Sequence, residues 1–151
     1  MSRFRFRLEP VLQMRQRAED QAQQALARAE RQLLEAESRL SSSDDMLRSA
    51  YASAAQAERG GVDVVQLTWH RNWIVARTRD VEAKRLEVRD RLEARDMRLV
   101  QAQEARKQRR VLEKFKDRAQ LAFDMAAAQR EMQAIDELAT IKAARRVGEF
   151  Q

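Results

Sequence analysis

The chain has 151 residues, 36% of them charged and 5% aromatic, with three glycines and one proline. That balance belongs to long helices, and a helix pair buries a seam without the deep core that walls off a reaction. The net charge of +6 comes from 30 basic and 24 acidic residues, so most of the field cancels locally, and with no cysteine disulfides and thiol chemistry are excluded.

The basic opening, Arg3, Arg5 and Arg7, lacks the apolar stretch of a secretion signal. No later run approaches the roughly 18 apolar residues of a membrane span. The expectation is a chain that stays in the cytoplasm without membrane insertion. Helix 1 is expected over residues 9–59. Proline at position 10 sits in a first turn, where its missing N–H costs no intrahelical bond and its φ is already set. Leu12, Leu26, Leu33, Leu40 and Leu47 recur in one seven-residue row that has Glu19 as its polar entry. A second row holds Leu8, Ala22, Ala29, Ala36, Ala50 and Ala57, broken by Arg15 and Ser43. Two such rows form the apolar seam of a coiled coil. Leucines at this step also suit a parallel zipper, but the alanine row lets a partner backbone approach closely and a long partner helix follows in the same chain. Ser41 to Asp45 prefer caps to helix interiors, so a local weakness is expected there, with a full break left open.

The turn falls at 60–63. Gly60 and Gly61 favour both a helix end and a tight reversal. Asp63 can cap the next helix with Gln66 three residues on, and Val62 and Leu67 occupy the positions of a hydrophobic staple. Helix 2 is expected over 64–147, with Arg145 and Arg146 at its negative dipole end and Gly148 as a possible stop. Its seam reads Leu67, Ile74, Val81, Val88, Leu92, Leu99 and Leu112. The predicted fold is therefore all-α: an elongated antiparallel two-helix coiled-coil hairpin over 1–151, whose longer second helix overhangs at the C-terminal end.

Pairing back from the turn, residues whose numbers total roughly 123 face each other, which leaves helix 2 without a partner beyond residue 118. This overhang still carries Leu121, Met125, Ala128, Met132, Ile135 and Ala139 at helical spacing, with Phe123, Leu138 and Ile141 beside them. An apolar stripe of that size reads as a docking surface, or as a tail ordered only in a complex.

Catalysis has little to stand on, and an enzyme is not expected. The single histidine, His70, has neither cysteines nor paired spacing for a metal site and reads as a solvent-facing helix residue. Gly60-Gly61 lacks the lysine and hydroxyl residue of a phosphate loop. The pairs Asp44-Asp45 and Asp136-Glu137 read as solvated helix faces. No cofactor is implied. The densest basic stretch, Arg106 to Arg118, contains Glu104, Glu113 and Asp117 within or beside it. No separate DNA-reading helix precedes the seam, because Glu9 and Pro10 interrupt the basic opening. Nucleic acid is not the expected partner.

Phe4-Arg5-Phe6-Arg7-Leu8-Glu9-Pro10-Val11-Leu12, followed by Arg15, Glu19-Asp20, Ala22 and Leu26-Ala27, resembles the opening of the FliJ family of flagellar type III export proteins. Leu112-Glu113-Lys114-Phe115-Lys116 and Asp136-Glu137-Leu138-Ala139 resemble its second-helix and C-terminal stretches. The related injectisome stalk proteins share the shape, and the phenylalanine-arginine opening favours the flagellar member. The resemblance implies a two-helix coiled coil similar to the central stalk of rotary ATP synthases. Such a stalk sits in the pore of the hexameric export ATPase, promotes its assembly and activity, and links it to the transmembrane export gate. It also escorts export chaperones. The implied partners are that ATPase and its regulator, the gate and the chaperones, with the protein cytoplasmic and held peripherally at the inner membrane through the export apparatus.

Carried over by position, the ATPase-facing residues implied are Phe4, Phe6, Leu8, Lys114, Phe115, Lys116, Phe123, Met132 and Ile135. For Leu8 and Phe115 the plainer role is sealing the open end of the coiled coil. The gate-facing residues implied are Tyr51, Trp69 and Trp73, since aromatic anchors often dominate interfaces, though Trp73 also suits a cover over Ala50 and Ala54. A general coiled-coil scaffold, in which the overhang pairs with another copy, and a basic nucleic-acid-binding hairpin are the alternative readings.

Overall fold

The computed structural model describes residues 2–61 and 63–150. It is an all-α helical hairpin with no strand among the described residues. Helix α1 spans Glu9–Arg59 and helix α2 spans Val64–Glu149, 51 and 86 residues long. Packing divides the chain into two compact units, one of Met1–Ala18 with Arg106–Gln151 and one of Glu19–Ala105.

The unit of Glu19–Ala105 contains the turn. The Gly60 amide donates to the carbonyls of Gln56 and Ala57 at 3.2 and 3.1 Å, satisfying two of the oxygens a helix end leaves open. Gly61 follows at φ 74°, a left-handed conformation that costs glycine nothing. α2 then starts on the Asp63 cap. The Asp63 Oδ1 accepts from the Gln66 amide at 2.9 Å and its carbonyl accepts from Leu67 at 3.1 Å. The staple with Val62 lies outside the described residues.

Both seven-residue rows of α1 line its seam. Ala29, Leu33, Ala36 and Ala50 are buried, with Ala36 wholly inaccessible. Cross-helix bonds fix the register: Gln32 accepts from Arg91 at 3.0 Å, Ser43 donates to Asp80 at 2.8 Å, Met46 accepts from Arg77 at 3.4 Å, and Arg39 pairs with Glu87. The partners' numbers total roughly 123 to 126, as equal rise on two antiparallel helices requires. The Arg39 hydrogen bond is the main reason the Glu87 carboxyl sits below its ordinary range. The charges of Arg39, Lys84 and Arg91 add to it, and partial burial opposes it.

Three details of the helices are decided here. α1 runs unbroken through Ser41 to Asp45. Ser43 is buried, and its hydroxyl, which could have competed with the helix backbone, is spent on Asp80 of α2. On α2, Leu67 and Leu92 are not seam residues, being 41% and 40% exposed. Strict seven-residue steps from Ile74 through buried Val81 and half-buried Val88 arrive at Arg95 and then buried Ala102. Half-buried Arg77, Lys84, Arg91 and Arg95 supply aliphatic stems along the seam, and the guanidinium Nε of Arg77 and of Arg95 is itself shielded from solvent. α2 also continues through Gly148 to Glu149.

Among the described residues of the unit of Met1–Ala18 and Arg106–Gln151, Leu12 is the one large, fully buried side chain. The Leu12 amide donates to the Leu8 carbonyl at 2.9 Å, and that of Glu9 to Phe6 at 3.1 Å, which starts α1. Arg15 donates to Gln108, and the Glu9 carboxylate meets Lys116 Nζ at 2.8 Å.

Candidate functional site: an aromatic clasp and a tryptophan ladder

Residues 2–6 precede α1 without helical structure and run beside α2. Extended chain advances about 3.3 Å per residue against 1.5 Å for a helix, so these few residues cover more of α2 than a helical pairing rule allows. The Phe4 ring meets Phe123 with centroids 5.5 Å apart and planes tilted by 56°. Phe6 is half-buried and shares a shallow hollow with Phe4, Glu9, Lys116 and Gln120. α2 therefore keeps a ring partner as far as Phe123, and beyond it Ser2 shares an open hollow with Ala127, Arg130 and Ala134, which corrects the expected limit at residue 118.

Phe4, Phe6, Lys116 and Phe123, four of the residues implied as ATPase-facing, thus form one clasp. Leu8 and Phe115 remain 41% and 52% exposed. Phe115 borders a small hollow with Val111, Lys114 and Arg118. The ring contact at this end is made by Phe4 and Phe123, so Leu8 and Phe115 stay on the surface. From Asp124 to Phe150 every residue is exposed. Met125, Met132, Ile135 and Leu138 are each 60% or more accessible. These are large apolar side chains left in water at a cost of roughly 1.5 to 3 kcal/mol each relative to burial.

The second candidate surface lies in the unit of Glu19–Ala105. Trp69 and Trp73, one helical turn apart on α2, stack with centroids 6.0 Å apart and planes within 5°. Arg77, a further turn on, holds its guanidinium carbon 4.5 Å from the centre of the Trp73 ring and donates to Met46 Sδ of α1. The i, i+4 spacing places all three on one face. The cation–π contact fixes the outer ring, while Trp69 and Trp73 stay 59% and 43% exposed. Tyr51, also exposed, joins no ring contact among the described residues. Arg77 and Met46 were not among the expected site residues. The four-residue step from Trp73 to Arg77 was the signal available in the sequence.

His70 departs from its expected solvent-facing place. It is half-buried, edge-on to Trp69 at 5.0 Å, and its Nδ1 is shielded without a hydrogen-bond partner among the described residues. Rings at neighbouring positions shade each other even on a helix surface. No group of three His, Cys, Asp or Glu among the described residues is placed to hold a metal. No helix of the described residues is long and apolar enough to cross a membrane.

The family of the flagellar FliJ protein matches residues 4–148. The chain belongs to the FliJ family. Family membership makes it a flagellar export-related protein of a family not known for enzymatic activity. Among curated proteins and among solved structures, nothing matches the chain.

Proposed function

We propose that this protein is the stalk of the flagellar type III export apparatus, binding and stimulating the hexameric export ATPase, engaging the transmembrane export gate and escorting export chaperones. The observation that carries the reading is the exposed apolar stripe of α2 that runs past the Phe4–Phe123 clasp. A surface of this kind on a chain of an export family is suited to docking. In this reading Phe4, Phe6, Leu8, Lys114, Phe115, Lys116, Phe123, Met132 and Ile135 face the ATPase. Lysines flanking the aromatic side chains would steer toward acidic walls. Tyr51, Trp69 and Trp73 face the gate, with Arg77 holding Trp73 in place. The protein is then cytoplasmic and held at the membrane only through its partners.

ATP hydrolysis by the export ATPase of the same organism, measured with and without the purified protein at several salt concentrations, tests the reading. Stimulation near stoichiometry with the ring is expected. A chain ending at Asp124, which keeps the clasp, should remain helical and lose the stimulation. Equal stimulation by the shortened chain would remove the stripe from the ATPase surface, and no stimulation by the full chain would refute the stalk reading.

A further inference from the structure

The stripe repeats with a coiled-coil period of its own, on the face of α2 turned away from the row of half-buried Leu112, Lys116, Ala119 and Phe123. Leu121, Met125, Ala128, Met132, Ile135, Ala139, Lys142 and Arg146 follow one another by alternating steps of four and three, the 3.5-residue period of a supercoiled seam. The charges along it are segregated. Asp124, Glu131, Asp136 and Glu137, with Arg130 the one base among them, occupy its first part, and Lys142, Arg145 and Arg146 its second, all of them exposed. A helix with one acidic and one basic half is complementary to its own reverse.

We infer that the unassembled protein pairs through residues 121–146 with a second copy of itself, the two stripes antiparallel and related by a two-fold axis. One register satisfies both the apolar and the charged residues. With Met132 facing Ile135 of the second copy, Ala128 faces Ala139 and the helices can approach closely there. Met125 then lies along the aliphatic stem of Lys142, and Asp124 flanks Arg145 beside the seam, where antiparallel coiled coils set opposite charges. The two-fold axis makes each of these contacts twice. A parallel pair is opposed by the same residues, because it stacks Lys142 on Lys142 and Arg146 on Arg146 and sets Glu131 beside Asp136. The antiparallel dimer covers Met125, Met132 and Ile135, so it excludes any other partner from the stripe and is the form of the free protein.

Sedimentation of the full chain over a concentration series should show reversible dimers in the micromolar range. Asp124→Arg and Arg145→Asp should each weaken self-association about tenfold, because each turns two attractive contacts per dimer into repulsions. An equimolar mixture of the two variants should recover it, since in the mixed dimer both contacts are again opposite in sign. The native chain has no cysteine, so register can be read by disulfide formation. Ala128→Cys and Ala139→Cys should cross-link when mixed and neither should do so alone. A chain that stays monomeric at about 100 µM, far above such a dissociation constant, would overturn the inference. Self-cross-linking of Ala139→Cys, the signature of a parallel pair, would overturn it as well.

Discussion

Replacing Ala36 by leucine tests whether the alanine row sets the distance between α1 and α2 in the unit of Glu19–Ala105. Ala36 is wholly inaccessible, and its row neighbours Ala29 and Ala50 are 7% and 3% exposed. Leucine adds three carbons at a point where the methyl group is already covered on every side. Were there room, their burial would stabilise the fold by about 2 kcal/mol, at about 0.8 kcal/mol per carbon. There is none, so the helices must part locally, which uncovers Leu33, now 9% exposed, and half-buried Val88, which the register sets opposite Ala36. Overpacking of this kind typically costs about 1 to 3 kcal/mol net. For a chain of this size that lowers the melting temperature by roughly 3 to 10 °C. Ala27→Leu, on the exposed face of the same helix, should be close to neutral, since alanine and leucine differ little in helix propensity. Thermal unfolding followed by circular dichroism at the helical minimum compares the two. An Ala36→Leu protein that melts at or above the temperature of the parent would refute the close-approach argument, because the seam would then have had space to spare.

Glu87 supplies a pH dependence of known sign. Its folded-state pKa is depressed by the Arg39 bond and nearby cations, so it stabilises the fold above its unfolded pKa and the contribution fades as pH falls through the folded value. Urea midpoints recorded below about pH 4.3, the ordinary glutamate range, should fall less steeply for Glu87→Gln than for the parent. Parallel curves would show that the pair contributes nothing. At the start of α2, Asp63→Ala removes the acceptor of the Gln66 amide and should cost about 1 kcal/mol of local stability. That corresponds to roughly fivefold faster hydrogen exchange in the first turn of α2. Unchanged exchange there would mean that the cap is not what starts the helix.

Much of the fold was legible because its causes are local or periodic. Two glycines end α1, one aspartate starts α2, and the seven-residue rows of α1 already mark which of its faces is buried. The register across the turn follows from equal helical rise alone. α2 was harder to read, because its buried row passes through Arg95 and excludes Leu92. Hydropathy rates arginine as surface, but the long stem of that side chain can line a seam. The stretch from Ser41 to Asp45 misled for a related reason: a serine reads as a helix breaker until its hydroxyl has somewhere else to go, and Asp80 is distant in sequence.

The candidate surfaces divide in the same way. The exposed stripe from Met125 onward is visible in the sequence, since its period persists after the partner helix has run out. The clasp of Phe4 on Phe123 and the ladder from Trp69 through Trp73 to Arg77 and Met46 were not. A non-helical segment obeys no pairing rule, and ring stacking depends on rotamers that neighbouring side chains choose. By itself, then, the sequence determined the helices, the turn and the antiparallel register, which are properties of spacing along one chain. Only the tertiary structure decided which charged side chains lie in the seam, where α2 loses its last partner and which aromatic rings meet, because those depend on what residues far apart in sequence leave uncovered once they pack.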